Sequence, residues 1–219
     1  MTPGDPTRGA CTAVAAFDVD GTLTDRDCVR PFLVRVGGWR GLTTALVRKP
    51  AASLGAVARL DRDRFKEVIV GGVLRGRKVD HVEALGAEFA EQVARDWLRP
   101  DTVARLRWHQ RMGHRIVFVS ASLSPYLKPL GRRLGVDEVL CAEPLRVGEH
   151  FGDGLAGANC RAQEKVRRLD AWLDATGLLD ATVWAYGDSV GDRELLARAD
   201  HALLVKNTFV PAVPAGFPS

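Results

Sequence analysis

Apolar and polar positions along the chain follow different periods in different parts of the sequence. A short apolar run over residues 13–17 predicts a buried strand. From Asp25 to about Leu98, apolar residues recur every three or four positions, as they do in amphipathic helices. From Arg99 onward, short apolar runs alternate with helical segments. The pattern predicts an α/β protein in which several helices are inserted directly after the first strand.

The helical stretch is interrupted by glycine and proline, which predict its breaks. Pro31 is suited to begin a helix, Gly37 and Gly38 to stop it, and Pro50 to end the next one. An aspartate, Asp61 or Asp63, is expected to begin a later helix near the middle of the stretch. Five helices follow from this pattern, over about 31–36, 39–48, 51–60, 63–76 and 82–97.

The second half of the chain predicts further strands, each separated from the next by a helix, apart from a glycine-rich segment over 143–159 that could form a hairpin. Strands alternating with helices form parallel sheets covered on both faces. We therefore expect a Rossmann-like core built from residues 11–24 and 99–210, with a helical bundle from residues 25–98 standing over the end of the first strand. The predicted strands after the first are Ile116–Val119, Asp137–Cys141, Val183–Tyr186 and Ala202–Val205.

Two aspartates follow the first strand directly. Asp18 and Asp20 are two residues apart, so in extended backbone both carboxylates face the same way. Like charges this close require a cation or a shared proton, and Gly21 permits a sharp turn after them. Aspartate and glycine also favour ordinary turns, which is the alternative interpretation of these four residues. Ligand sites of open α/β sheets lie at such strand ends, which favours chemistry around a divalent cation.

Other polar residues lie near the ends of later elements. Ser120 follows the second strand, Lys165 lies in the first turns of a helix, and Asp188 and Asp192 follow the fourth strand. Singly, these are a turn residue, a solvated charge and a helix cap. Together they suit phosphoryl transfer, because a carboxylate can attack phosphorus while a hydroxyl and an ammonium neutralise the phosphoryl oxygens. The few carboxylates favour Mg²⁺ as the cation.

The segment Phe17-Asp18-Val19-Asp20-Gly21-Thr22-Leu23-Thr24 resembles the signature of the haloacid dehalogenase-like hydrolase superfamily, and the later residues follow in that family's order. The resemblance implies a Mg²⁺-dependent phosphatase in which Asp18 is the nucleophile and a metal ligand. Asp20 is implied as the general acid and base, with its carbonyl also on the metal, and Asp188 as the further metal ligand. The helical stretch corresponds to the bundle-type cap of the family.

The same resemblance implies phosphate-binding roles for Ser120 and Lys165, and a role for Asp192 in supporting the water around the metal. The segments Val117–Ser122 and Asn159–Val166 resemble subfamily IB, the phosphoserine phosphatase-like group.

Two positions in the helical stretch differ from phosphoserine phosphatases and suggest a different substrate. Asp27, nine residues after Asp18, stands where they carry glutamate. Their cap arginine aligns with Val70, and Arg64, Arg75 or Arg77 is a candidate to replace it. We therefore take Asp27 and Arg64 as candidate specificity residues. The expected substrate is a small phosphorylated metabolite, with phosphoserine-like and lipid-linked phosphates as the open alternatives.

Charge and composition restrict the partners. The net charge is +4, and residues 25–95 contain 14 Lys and Arg against 9 Asp and Glu. This excess is either a solvated helical surface or a positive lid for phosphorylated substrates or anionic lipid head groups, so peripheral membrane contact stays open. Without a basic block or basic-aromatic ladder, nucleic acid is not an expected partner. The composition leaves the oligomeric state open.

The cysteines and the N-terminus bear on the compartment. Cys11, Cys28, Cys141 and Cys160 lack metal-site spacing and are expected to be reduced, buried thiols. Residues 1–10 predict a loose tail rather than a signal peptide. A cytoplasmic location is therefore expected.

Two alternatives to a phosphatase remain from the sequence. The first is a phosphotransferase that uses the same aspartyl-phosphate but passes the phosphoryl group to an alcohol. The second is a non-catalytic module that binds an anionic partner.

Overall fold

The computed structural model describes residues 13–48, 62–206 and 208–218. The predicted helix over 51–60, the N-terminal tail and Cys11 lie outside these residues. The elements, in chain order, are β1 (Ala13–Phe17), α1 (Val29–Arg48), α2 (Arg62–Leu74), α3 (Val79–Asp96), α4 (Pro100–Arg111), β2 (Arg115–Leu123), α5 (Ser124–Leu134), β3 (Glu138–Ala142), β4 (Pro144–Val147), β5 (His150–Leu155), α6 (Gln163–Ala175), β6 (Thr182–Gly187), α7 (Arg193–Arg198) and β7 (His201–Leu204).

The core is a five-stranded parallel sheet in the order β3-β2-β1-β6-β7, as the alternation of strands and helices predicts. Strand β1 lies in the middle, and its five side chains are all buried. Ala15 and Phe17 face a core that includes α4, α5 and the helices after β1, whereas Val14 and Ala16 face α6 and α7. Burial on both faces explains why β1 is apolar without alternation.

Helices α1, α2 and α3, called the helical insert below, leave and rejoin the sheet at one place. The amide of Asp25 donates to the carbonyl of Trp97 at 2.9 Å, and that of Arg99 donates to Leu23 at 2.8 Å. The predicted break in the first helix is confirmed, because Gly38 inside α1 has φ 65° and ψ 174°. Helix α3 packs tightly on α5, and a Cβ on Gly86 would overlap the carbonyl of Pro125.

The glycine-rich segment forms the antiparallel hairpin β4–β5, which packs against the helical insert. The carbonyl of Phe151 accepts from the amide of Gly76 at 2.8 Å, and the amide of Phe151 donates to Arg77 at 2.9 Å. The amide of Val79 donates to Glu149 at 2.9 Å. The hairpin was predicted as part of the core, but it packs as an extension of the helical insert.

Strand β2 is longer than predicted, so Ser120 lies within it rather than at its end. The pairing of β2 with β3 is regular to Val119 opposite Leu140 and resumes at Leu123 opposite Ala142. Between these two pairs, β2 proceeds by four residues and β3 by two. This irregularity is a β-bulge, in which the extra residues of β2 are not paired with β3. Periodicity did not predict this continuation, because polar residues interrupt the apolar run.

The C-terminal segment from Pro211 is anchored to the core by hydrogen bonds. The buried guanidinium of Arg105 donates to the carbonyl of Pro211 at 2.9 and 2.6 Å, and the indole of Trp108 donates to Pro218 at 2.8 Å. The ring of Phe217 packs edge-on against Trp184. These buried donors need acceptors, and the carbonyls of this segment provide them.

His109, at the end of α4, and His114, just before β2, lie in contact with each other. The Nδ1 atoms of His109 and His114 lie 2.8 Å apart, and Nε2 of His109 lies 2.7 Å from the Tyr186 hydroxyl, which accepts from Arg105 at 3.0 Å. Burial, with the charges of His114 and Arg105, lowers the pKa of His109 to about 3. His109 is therefore neutral in the folded chain near neutral pH.

Among the described residues, the thiols Cys28, Cys141 and Cys160 are buried and unpaired, as expected. In the same part of the chain, no helix is long and apolar enough to cross a membrane.

We predict that acid destabilises the wild type more steeply than His109→Gln. Between pH 6.5 and 4 the unfolded chain binds a proton at residue 109 that the folded chain does not, because the folded pKa of His109 is depressed. The free energy of unfolding therefore falls by up to about 1.4 kcal/mol per pH unit from this group alone. Urea unfolding at a series of pH values measures both slopes.

The exposed His81 provides the matched control. His81→Gln is expected to keep the wild-type slope. Equal slopes for the wild type and His109→Gln would contradict a neutral, buried His109.

Candidate active site

The carboxyl edge of the sheet brings together residues that lie far apart in the sequence. Asp18 follows β1 and Asp188 follows β6, and these two strands are neighbours. The amide of Asp18 donates to Tyr186 at 2.9 Å, which continues the ladder beyond the last strand residue. The order of the parallel strands therefore places the two carboxylates at one edge, as the sequence predicts.

Lys165, in the first turn of α6, is buried and ion-paired with the carboxylates of Asp18 and Asp192. Its Nζ donates to Oδ1 of Asp18 at 2.7 Å and also to Oδ1 of Asp192. Burial alone would lower the pKa of Lys165, but Asp18 and Asp192 raise it above its ordinary value. Lys165 is therefore a permanently charged ammonium and not a solvated surface residue.

Asp18, Asp188 and Asp192 form an acidic cluster in which one oxygen of each lies within 4.8 Å of the others. Asp192 is fixed by the amide and hydroxyl of Ser189, at 3.0 and 2.9 Å from its Oδ2. Burial, together with Asp18 and Asp192, raises the pKa of Asp188 to about 6. One ammonium thus faces three carboxylates, and a further cation would compensate the remaining repulsion.

Gly21 is required by this cluster in two ways. Its φ is 81°, a left-handed conformation that other residues rarely adopt. A Cβ at this position would also overlap the carboxylate of Asp188. The turn after Asp20 is therefore built around the acidic cluster.

Asp20 takes part in a separate set of hydrogen bonds. Its Oδ2 accepts from the Ser122 hydroxyl at 2.8 Å, and its Oδ1 accepts from the amide of Cys28 at 3.2 Å. Burial, with the charges of Asp27 and Asp18, raises the pKa of Asp20 to about 7. A carboxyl with such a pKa can both donate and accept a proton near neutral pH.

A cavity of about 730 Å³ opens between the sheet edge and the helical insert. Its floor includes Asp18, Asp20, Ser120, Lys165 and the two later aspartates, so all six residues predicted for the chemistry line one space. Ser120 is buried, and its hydroxyl accepts from the amide of Ser122 at 3.2 Å.

The two candidate specificity residues differ in position. Asp27 lines the cavity, and its carboxylate accepts from the amides of Val29 and Arg30 at 3.3 and 3.1 Å, as a helix N-cap does. Arg64 is exposed and does not line the cavity, whereas Lys66, two residues on, does.

Lys66, Asn159 and Ser122 are further residues of this region to which the sequence analysis gave no role. The ammonium of Lys66 donates to the carbonyl of Ala121 and to Oδ1 of Asn159, at 2.8 Å for the latter. The side-chain amide nitrogen of Asn159, Nδ2, donates to Oδ1 of Asp63 at 2.7 Å. No local signal in the sequence indicates these contacts, because they join α2 to residues of β2 and of the segment before α6 that lie more than fifty positions away.

The donor set of the acidic cluster fits a hard divalent cation. Three carboxylates converge, and Gly21 leaves the space beside Asp188 free of a side chain. Oxygen ligands of this kind suit Mg²⁺ or Ca²⁺ and do not suit softer metals. The residues that could hold such an ion are Asp18 and Asp188, with Asp192 already committed to Lys165 and Ser189.

The chain is similar to known proteins over most of its length. The model of the haloacid dehalogenase-like hydrolase family matches residues 15–197, which include every residue of the acidic cluster. The chain belongs to this family. Protein CicA of Caulobacter vibrioides is 38% identical over 189 residues, covering 85% of this chain and 83% of that protein.

A further relative is similar in sequence, and two solved structures share the fold. Phosphoserine phosphatase SerB1 of Mycobacterium tuberculosis is 25% identical over 205 residues, with 89% of this chain and 65% of that protein covered. A crystal structure of a protein of unknown function from Bordetella pertussis matches with a TM-score of 0.71 at 24% identity, covering 88% and 90% of the two chains. A substrate-bound phosphoserine phosphatase matches with a TM-score of 0.60 at 14% identity, covering 87% and 84%.

We predict that replacing Lys165 destabilises the protein mainly through the carboxylates it leaves behind. In EDTA at pH 7, Lys165→Met is expected to cost about 3 kcal/mol of unfolding free energy, because it strands buried charge. In an Asp18→Asn background the same change is expected to cost at least about 1 kcal/mol less, since one carboxylate is then neutral. Urea unfolding of the four proteins measures this coupling.

The partly exposed ion pair between Arg198 and Asp170, at 3.0 Å, is the matched control. Arg198→Met is expected to cost less than about 1 kcal/mol. Equal costs for Lys165→Met in both backgrounds would show that Lys165 does not interact with Asp18 in solution.

Proposed function

We propose that this hydrolase is a Mg²⁺-dependent phosphatase that cleaves a phosphomonoester through an aspartyl-phosphate on Asp18. The observation that carries the proposal is the contact of Lys165 with Asp18 and Asp192 on the floor of the cavity. A carboxylate held by a buried ammonium is oriented for attack, and the ammonium is ready to neutralise a phosphoryl oxygen.

The proposed reaction has two steps that use the same two aspartates. An oxygen of Asp18 attacks phosphorus, the bond from phosphorus to the ester oxygen breaks, and Asp20 gives its proton to the departing alcohol. Asp20 then takes a proton from water, the water oxygen attacks phosphorus, and the bond to Asp18 breaks. The pKa of Asp20, about 7, supports both proton transfers near neutral pH. Ser120 and Lys165 are proposed to bind the phosphoryl oxygens.

Asp18 and Asp188 are proposed to hold Mg²⁺, together with the main-chain carbonyl of Asp20, while Asp192 supports the water around it. A bound Mg²⁺ supplies positive charge against the phosphoryl oxygens. The acidic cluster supports this assignment, since Lys165 neutralises only part of it.

We further propose that residues 25–98, which contain the helical insert, form a cap domain. Residues 11–24 and 99–210 then form the catalytic core. The hydrogen bonds from Asp25 to Trp97 and from Arg99 to Leu23 support these limits, and the hairpin β4–β5 would move with the cap. Asp27 is proposed to influence substrate choice from the cavity wall. The same proposal for Arg64 gains no support from its exposed position.

We predict that phosphate release from a panel of phosphomonoesters with Mg²⁺ is lost in Asp18→Asn. Asp20→Asn is expected to lower kcat about 100- to 10,000-fold, because it removes the proton donor. Asp170→Asn, a surface carboxylate on α6, is the matched control and is expected to retain wild-type activity.

Three results would count against this prediction. Activity that survives Asp18→Asn would rule out Asp18 as the nucleophile. Transfer of phosphate to an added alcohol at the expense of release into water would identify a phosphotransferase. A folded, Mg²⁺-loaded wild type that releases no phosphate from any ester would favour a binding role.

We predict that Mg²⁺ stabilises the wild type and stabilises Asp188→Asn much less. At a Mg²⁺ concentration 100 times its dissociation constant, binding adds about 2.7 kcal/mol to the unfolding free energy. Thermal unfolding with Mg²⁺ and with EDTA measures the shift, and Asp170→Asn should shift as the wild type does. An identical Mg²⁺ shift in Asp188→Asn would exclude Asp188 as a ligand. EDTA is also expected to abolish turnover until Mg²⁺ is restored.

A further inference from the structure

The wall of the cavity differs in character from its floor. The floor carries the charged residues of the acidic cluster, whereas the wall formed by α1 and α2 includes six apolar side chains beside its polar ones. A volume of about 730 Å³ falls in the range of cavities that enclose a drug-sized ligand, far more than a phosphoryl group needs. The apolar side chains of this wall are Val29, Leu33, Trp39, Leu42, Phe65 and Ile69.

The polar residues that α1 and its N-terminal cap contribute to the wall already have partners. Asp27 accepts from two amides of α1. The hydroxyl of Thr43 donates to the carbonyls of Trp39 and Arg40 at 3.2 and 3.0 Å. The guanidinium of Arg30 lies 5.2 Å from the centre of the Trp39 ring, a cation–π distance.

The polar residues that α2 contributes are also engaged within the protein. Asp63 accepts from Asn159, and Lys66 donates to Asn159 and to the carbonyl of Ala121. A polar leaving group, such as the ammonium and carboxylate of an amino acid, would have to break these bonds to be recognised here. Such an exchange leaves buried partners unsatisfied, which costs binding free energy.

Trp39 supports a ligand that reaches outward from the floor. It directly follows the break in α1 at Gly38, and its residue is 61% exposed although it lines the cavity. A large ring at such a place adds apolar surface at the edge of a cavity that is continuous with the catalytic floor.

We propose that the substrate is a phosphomonoester whose alcohol carries an extended apolar group, which lies against Leu33, Leu42 and Ile69 while the phosphate reaches the floor. The inference rests on the proposed phosphatase function and specifies its substrate class. The apolar group leaves water for a carbon-lined wall, and each buried methylene strengthens binding.

The first experiment compares n-alkyl phosphates from ethyl to octyl with phosphoserine and glycerol phosphate, all as monomers with Mg²⁺. We expect kcat/KM to rise about fourfold per methylene until the wall is covered. The rise should lie mainly in KM, because the chain binds equally well before and during the reaction. Naphthyl phosphate forms a separate arm that distinguishes a flat ring from a chain as the apolar group.

A variant of the cavity wall tests where the apolar group binds. Trp39→Ala is expected to lower kcat/KM for octyl phosphate about tenfold or more and to leave ethyl phosphate within about twofold, since only the longer chain reaches the ring. Phe209→Ala is the matched control, because Phe209 is 75% exposed and lies outside the cavity lining. It should leave both esters unchanged.

Binding of n-alkyl phosphonates to Asp18→Asn, measured by calorimetry, separates this inference from the proposed function. Affinity of Asp18→Asn that rises with chain length, together with no turnover of any ester by the wild type, would support the apolar site and overturn the phosphatase. Turnover that favours phosphoserine, or is indifferent to chain length, would overturn the inference and leave the phosphatase standing. Absence of both turnover and chain-dependent affinity would overturn both.

Discussion

The structure depends on the balance of charge at the carboxyl edge of the sheet, where three carboxylates face one ammonium. Asp18, Asp188 and Asp192 come from different segments, and each is buried or half-buried. Lys165, held in place by α6, neutralises only part of this charge, and a further cation or a proton would compensate the rest. The parallel sheet, the left-handed turn at Gly21 and the position of α6 all serve to bring these groups together.

The cover of this site is assembled from parts of the chain that are distant in sequence. The helical insert leaves and rejoins the sheet beside Leu23 and Arg99, and the hairpin β4–β5 is attached to it through Phe151. Lys66 on α2 contacts Ala121 in the bulged part of β2 and Asn159 in the segment before α6. The wall above the charged floor therefore depends on packing between elements rather than on any one motif.

The sequence predicted the sheet and the charged floor because both follow from local patterns. Apolar runs defined β1, β2 and β6, and Asp18 and Asp188 follow their strands directly, so the order of strands was enough to place them together. The bulge after Val119, the contact of Lys66 with Asn159 and the anchoring of the C-terminal segment by Arg105 were not predictable in this way. They are contacts between segments, and neither periodicity nor turn propensity contains information about them.

The same distinction separates the chemistry of the site from its selectivity. Phosphoryl chemistry needs a nucleophile, a proton donor and neutralising charge at fixed strand ends, so residues such as Asp18, Asp20 and Lys165 form a recognisable motif. Recognition of an apolar group on the alcohol, as proposed here, needs only a carbon-lined surface, because apolar contacts are not directional. Many combinations of side chains on α1 and α2 provide such a surface, and none of them produces a motif. In this wall, Asp27 and Asp63 are hydrogen-bonded within the protein, and apolar side chains line the cavity beside them. The wall is therefore a better indicator of the substrate than the sequence resemblance to phosphoserine phosphatases.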